Sequence, residues 1–579
     1  MSRLRLLFLL TLIVLLSVSL VAGDSAWRLA PLNPDFIRFH RTARLPGQMR
    51  TFDLAPGLPR YAPSPVDLSH LTPVADSGDF PRRFDLRELG LIPGIRDQNG
   101  YPACQAFATM GMVEGMLLPE EALDLSEWHI YRYHGFDFHG EYGDYTGGNW
   151  QMNAAYLLRW SGPVSEVDSP YGSGDDPSAL EKPPVKHIQT MRFFPPRRDA
   201  LDNAVVKRHL MEHGPLYASI LYESMSYNSA SASHYFSGGV DSNHGVVVVG
   251  WDDDFDRRRF LEIAPGNGAF ILRNSWGGQW GDGGYFYMSY YDTGFTPRMG
   301  VIELADADNY GLVYQHDPLG LISILGGVSS HAWGGNVFTA QEDGELAAVG
   351  FYLVDTNSKY TIRVYRGLAG TDPSSGQLYL EQSGARTHAG FYTIPLEQTI
   401  PLSAGERFAV AVHFQTPGTR YPIPVEYPVN GYSSAATASP GESFVSHDGV
   451  SWYDMTTVSE DTNVCIKAYT RFSSAVSASL SARLEFSSGW ILRYPYVRVS
   501  MEMDRAGEPV NSVAVYRRTD GLYTYKVNEI PVSQLGNGPV EWLDTAVTPG
   551  RNYAYQIRCF GAEGRFLGRS EWAAVEVTQ

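Results

Sequence analysis

Beyond about residue 309 the sequence loses helical spacing and does not regain it. Leu346–Val354, Tyr360–Tyr365, Gly390–Ile394 and Arg407–Phe414 alternate polar and apolar residues or run apolar at strand length, with Gly, Pro, Ser and Asn between them. Short strands separated by turn residues bury their apolar faces by closing sheet on sheet, so this half predicts β-sandwich architecture. The pattern holds to about residue 472, giving one all-β sandwich over 309–472. The serine- and alanine-rich run Ser473–Ala482 then reads as a linker. Further strands at Tyr496–Met503, Val513–Arg517 and Tyr553–Phe560 predict a second all-β sandwich over 473–579.

The preceding region has the opposite texture. From Phe80, apolar residues recur at helical spacing in ACQAFATMGMVEGMLL, LSEWHIYRYH, NWQMNAAYLLRW and NAVVKRHLMEH, the last stopped by Gly214-Pro215. Strand runs follow at Leu216–Leu221, Gly245–Gly250, Ala269–Arg273 and Tyr285–Tyr290. Helices first and strands afterwards predict an α+β domain of two halves over 80–308. A cleft between halves is where a site is expected. In front of it, residues 24–79 carry prolines at 31, 34, 46, 56, 59, 63, 65 and 73. That density forbids a long helix and reads as an extended pro-segment or N-terminal arm.

At the start, Arg3 and Arg5 precede a leucine-rich run and the small residues Val21, Ala22 and Gly23. This order reads as a secretory signal peptide over 1–23, an uncleaved anchor being the alternative. A secreted, periplasmic or cell-surface location follows, with membrane contact only through that segment. At 579 residues the chain is too long for one core. Its formal charge of −18 argues against nucleic acid as a partner.

Only three cysteines occur, too far apart to suggest a disulfide scaffold. Cys465 and Cys559 lie in strand-like runs and read as buried core thiols. Cys104 stands at the start of a helix, where the dipole and free N–H groups favour a thiolate. Gln98, six positions earlier, offers a side-chain amide that with the Cys104 backbone N–H would make an oxyanion hole. His244 immediately precedes an apolar strand and is the candidate base. Asn274 ends a later strand and would orient that histidine, with Trp276 two residues on to shield their bond. Taken singly, each reads more simply as structural: a buried thiol, a partly buried histidine, a turn asparagine, a core tryptophan. No zinc-type spacing or phosphate-binding glycine loop is present, so no metal or organic cofactor is expected.

Together these stretches match a family pattern. RDQNGYPACQAF, NHGVVVVGWD and NSWGGQWGDGGYF resemble, in order, the cysteine, histidine and asparagine motifs of the papain family of cysteine peptidases. The resemblance spans about residues 80–292. Cys104 and His244 are 140 residues apart, within the family's spacing of roughly 130–150. His244 and Asn274 are 30 apart, with DDDFDRRRFLEIAPGNG as an inserted loop. The resemblance implies a papain-like fold with Gln98, Cys104, His244 and Asn274 catalytic. It also implies that TGGNWQM forms a wall of the cleft, with Gly147 and Gly148 pairing with substrate backbone and Trp276 beside them. The chain departs from the pattern at Pro102 and Ala103 before the cysteine and at Gln105 after it, where the family has Trp. The family's long helical pro-region is also missing.

The 309–472 region resembles the lectin-like domain that follows this peptidase type in some prokaryotic secreted proteins, through GESFVSHDGVSWYDM and NVCIKAYT. Trp452 and Tyr453 there suit either strand-core packing or stacking on a sugar. WLDTAVTPGRNYAYQIR resembles the later strands of a fibronectin type III domain, with Tyr553 in core or corner packing. The expectation is therefore a multidomain, secreted cysteine endopeptidase. It would act through a thiolate–imidazolium pair and an acyl-thioenzyme on protein or peptide substrates, its β domains free to take a glycan or cell-surface ligand. Two rivals stay open. One is an adhesion or carbohydrate-binding protein with a degenerate peptidase domain, which Gln105 and Pro102 favour; the other is an acyl transferase using the same dyad.

Overall fold

The computed structural model describes residues 27–43, 60–74, 78–137, 146–239 and 242–472. It also describes most of 476–577, in the segments 476–486, 495–505, 510–519, 523–531, 533, 540–549, 551–561, 566–570 and 573–577. The expected signal peptide lies outside the described residues.

Five helices of at least seven residues are used below: α1 (Pro34–Ala43), α2 (Cys104–Leu117), α3 (Glu127–Tyr133), α4 (Trp150–Leu158) and α5 (Ala204–His213). α2 is buried from Cys104 to Gly115. A helix apolar on all sides belongs in a core, and α2 forms the centre of the helical half. α3 starts where the Ser126 hydroxyl accepts the His129 N–H, and α4 where the Asn149 carbonyl oxygen accepts those of Gln151 and Met152. α5 stops at Gly214, whose φ of +89° suits glycine.

The strand His244–Asp252 is buried on both faces, which is why it reads as a continuous apolar run. It pairs with Leu216–Ile220 on one side and Ala269–Arg273 on the other. Leu216–Ile220 pairs in turn with Thr296–Asp306, and that strand with Lys186–Phe193. The sheet then crosses the expected domain boundary. Gly390–Tyr392 of the following β region pairs antiparallel with Thr190–Arg192, so one 13-stranded sheet runs through both units.

A second sheet of six strands (Gln377–Arg386, Ser358–Arg366, Arg407–Gln415, His331–Thr339, Ser443–Ser446, Tyr453–Asp454) faces the far end of the first. Ile362, Val364, Val410, Val412 and Phe414 pack there with Val349, Phe351 and Ile394. On its outer side Trp452 packs in a second cluster with Trp333 and Phe444, whereas Tyr453 is exposed. Cys465 and Cys559 are buried thiols, neither in a disulfide.

The last unit has a three-stranded and a five-stranded sheet about a core that includes Val499, Val513, Val515, Tyr555 and Ile557. The expected linker at Ser473–Ala482 needs correction. Val476–Phe486 is a strand, paired residue by residue with Pro495–Arg505. Leu480, Ala482 and Leu484 alternate along one face and pack on the core. Small residues concealed this alternation. The Tyr553 hydroxyl accepts the Thr548 N–H at 2.9 Å, a corner that ties a strand to the turn before it.

The N-terminal arm is not wholly extended either, because α1 lies within it. Pro34 sits at the first helical position, where no N–H is needed, and the Asn33 side chain accepts the Asp35 N–H at 3.0 Å. Arg28–Leu29 adds an edge strand to Ser323–Gly326. Phe36 on α1 is buried against Phe136, Leu319, Ile322 and Tyr432, so α1 docks where the helical half and the first sandwich meet. The arm then returns to the helical half, and Arg60–Tyr61 pairs in parallel with Thr146–Gly147. No helix among the described residues is long and apolar enough to cross a membrane.

Candidate active site

Cys104 opens α2, pointing its thiol at the strand that His244 begins. Gly245 donates its N–H to the Cys104 sulfur at 3.4 Å. That approach requires glycine, since a Cβ at 245 would meet the Tyr217 hydroxyl at 2.5 Å and the Gln105 Cα at 3.3 Å. The His244 Nε2 lies 2.8 Å from Asn274 Oδ1. A carbonyl oxygen only accepts, so this bond places the proton on Nε2 and leaves Nδ1 with its lone pair. Nδ1 has no hydrogen-bond partner. The Trp276 indole stacks on the imidazole at 4.7 Å between centroids and covers the bond to Asn274.

Gln98 is fixed at both ends of its amide. Its Nε2 donates to the Tyr101 carbonyl at 2.8 Å, and its Oε1 accepts the Ser275 hydroxyl at 2.8 Å. The Gln98 N–H also donates to the Ser275 carbonyl at 2.9 Å. The loop bearing Gln98 is thereby fastened to the loop bearing Asn274, and one Nε2 hydrogen is left for a ligand. Arg96, just upstream, pairs with Glu114 on α2 at 2.8 Å and Glu127 on α3 at 2.6 Å. It ties the helix of the cysteine to its neighbour.

Gly147 and Gly148 form the wall that leads into α4. A Cβ at Gly148 would come within 3.2 Å of the Gln105 amide nitrogen and of Met152, so the wall is packed from behind by Gln105. That is where the residue departing from the family pattern sits. Along the front of the wall runs the chain's own arm, with Tyr61 in register with Gly147. Asn149 donates to the Pro63 carbonyl at 3.4 Å, and the Ser64 hydroxyl bonds Gln151. The segment expected to receive substrate backbone is occupied from within.

Burial acts on both members of the pair. Burial pushes the Cys104 thiol up to about 12, although the N–H groups of Gly245, Gln105 and Cys104 pull the other way. Burial likewise pushes His244 down to about 4 against the opposite pull of the Asn274 bond. Both shifts favour the neutral forms of the pair. Burial thus acts against the thiolate that the helix terminus favours.

The residues singled out from the sequence are thus linked by contacts: Cys104 to Gly245, His244 to Asn274 and Trp276, Gln98 to Ser275, and Gly148 to Gln105. Ser275 and Arg96 escaped that reading. Ser275 adjoins Asn274, but its partner Gln98 is 177 positions away and no spacing rule joins them. Among the described residues no group of three or more His, Cys, Asp and Glu is placed to hold a metal.

Comparison with known proteins agrees with this architecture. The family model for papain family cysteine proteases matches residues 80–299, and that for lectin-like domains matches 313–470. A probable cysteine protease of Arabidopsis thaliana is 26% identical over 228 residues, covering 38% of this chain and 59% of its own length. A cysteine proteinase of Entamoeba histolytica is 30% identical over 222 residues, covering 36% and 63%. The chain therefore spans about three-fifths of the length of these relatives. The crystal structure of the cysteine protease and lectin-like domains of Cwp84, a surface layer associated protein of Clostridium difficile, superposes with a TM-score of 0.66 at 21% identity. It covers 78% of this chain and 99% of that one. Cwp84 after propeptide cleavage superposes over 68% of this chain at 0.58. The fold is that of a papain-family cysteine protease domain followed by a lectin-like domain.

Proposed function

We propose that this chain is an exported cysteine endopeptidase kept latent by its own N-terminal arm. The observation that supports the reading is the run of contacts that joins four side chains, with Gly245, the residue after His244, donating its N–H to the Cys104 sulfur. Cys104 stands at a helix start and His244 is held by Asn274. Gln98 has an amide hydrogen to spare.

With the arm displaced, water and substrate reach the thiol and the cost of charge separation falls. His244 Nδ1 takes the proton of Cys104, and the thiolate attacks a peptide carbonyl carbon. The oxyanion that forms receives the Cys104 N–H and the free Gln98 Nε2–H. His244 then gives its proton to the leaving amine as the C–N bond breaks, leaving an acyl-thioenzyme. A water deprotonated by His244 hydrolyses the thioester and restores the thiol. Asn274 keeps the imidazole in the required tautomer throughout.

The remaining parts fit an exported protein. Residues 1–23 read as the signal peptide that delivers the chain outside the cytoplasm. The lectin-like unit anchors α1 and presents a face for a glycan or cell-surface ligand. The last unit reads as fibronectin type III-like, supported by its three-plus-five strand arrangement and the Tyr553–Thr548 corner.

The test is active-site labelling. Arm-trimmed protein is treated with an epoxide inhibitor of papain-type enzymes, and the adduct is located by mass spectrometry. Labelling at Cys104, absent in His244→Ala and slow in untrimmed protein, is the expected result. An accessible Cys104 that stays unmodified after trimming overturns the proposal.

A further inference from the structure

Between the arm and the cleft lies a cavity of about 190 Å³. The peptidase side of it includes Trp150, two residues past Gly148, Ser242, two residues before His244, and Thr296 and Arg298. Its lining thus includes residues two positions along the chain from Gly148 and from His244. Arg298 is the one cation among the described residues that line it. Its Nε donates to the Ser219 hydroxyl at 3.1 Å, and Ser219 is in register with Gly245. The guanidinium is thus fixed one strand away from the catalytic pair, with a single donor spent on that anchor.

The acidic residues that share the cavity, Asp35 and Asp67, both belong to the arm. Asp35 is already paired with Arg38 on its own helix. Among the described residues no carboxylate of the peptidase unit lines the cavity. When the arm leaves, both acids leave with it, and Arg298 faces an opened pocket without a counter-charge.

We propose that this pocket receives an acidic side chain of the substrate, and that Arg298 selects it. The inference rests on the peptidase reading. The selected residue is the one whose backbone lies on the Gly147–Gly148 wall, because the cavity opens beside that wall. A guanidinium presents a planar fork suited to a carboxylate, and it repels a lysine or arginine side chain. In a partly enclosed pocket such a pair is expected to give a preference of about tenfold or more over an apolar side chain, weakening as salt is raised.

The experiment uses the arm-trimmed protein and fluorogenic peptides that differ at one position at a time, N-terminal to the cleaved bond, carrying Glu, Leu or Lys. At one position kcat/KM should rank Glu above Leu above Lys. Arg298→Met should bring Glu and Leu level, and Arg298→Glu should invert the order so that Lys leads, an outcome a misfolded variant cannot produce. Equal cleavage of all three by the parent, or an unchanged Glu-to-Leu ratio in Arg298→Met, overturns the assignment while leaving the peptidase reading intact. Absence of cleavage together with an unlabelled Cys104 removes the peptidase reading, and this inference with it.

Discussion

The Gln98 side-chain carbonyl accepts the Ser275 hydroxyl at 2.8 Å, which locks the amide of one loop to the residue after Asn274 on another. Losing the amide and losing its anchor should differ in degree. Gln98→Ala removes an oxyanion donor and should lower kcat about 10²–10³-fold. Ser275→Ala leaves the donor but frees its orientation, a loss near 1 kcal/mol or about fivefold. Steady-state kinetics on arm-trimmed variants checks the order.

Latency should depend on α1. Phe36 is 2% exposed and fills the cluster around Tyr432, so Phe36→Ala should cost the arm about 3–5 kcal/mol of docking. Untrimmed Phe36→Ala should then label at Cys104 far faster than the untrimmed parent. Equal labelling rates would mean that the arm is held elsewhere.

The covered site should have a neutral stability window. His244 is held neutral, so its contribution is present above its ordinary value near 6.5 and is lost as pH falls toward about 4. Cys104 is held as a thiol, so its contribution is present below 9 and is lost as pH rises toward about 12. The acid arm amounts to about 3 kcal/mol for a fully buried imidazole. Thermal melting of the untrimmed protein between pH 7 and pH 4 should fall more steeply for the parent than for His244→Gln.

Arg96 should matter for stability and catalysis together. Arg96→Ala strands Glu114 and Glu127, which are 1% and 2% exposed as side chains, without their shared cation. Breaking buried pairs in this way costs about 3–5 kcal/mol. The melting temperature should drop, and kcat should fall in trimmed protein as α2 loosens. Unchanged melting would show that the two carboxyls are protonated in the native state.

Much of this molecule was legible beforehand because its signals are local. α5 stopping at Gly214 and the buried strand from His244 follow from periodicity and turn chemistry that act over a few residues. The strand at Val476–Phe486 was missed because serine and alanine give weak contrast between its faces. α1 was missed because proline density was counted without regard to position, and a proline at the first turn does no harm. The four candidate site residues could be picked out from motif order, whereas Ser275 and Arg298 carry no local mark.

The sequence by itself determined which residues have the chemistry: a cysteine at a helix start, a histidine at a strand end, an asparagine and a glutamine amide. It also determined the change from mixed helix and strand to strands alone. Only the tertiary structure decided that the sheet runs unbroken from the protease domain into the lectin-like domain. The same is true of the arm folding back to pair Tyr61 with Gly147, and of the burial that pushes the Cys104 thiol up and His244 down. The physical reason is range. Helix and strand preferences act between near neighbours, whereas desolvation and strand pairing depend on whatever segment, however distant in sequence, excludes water from the site.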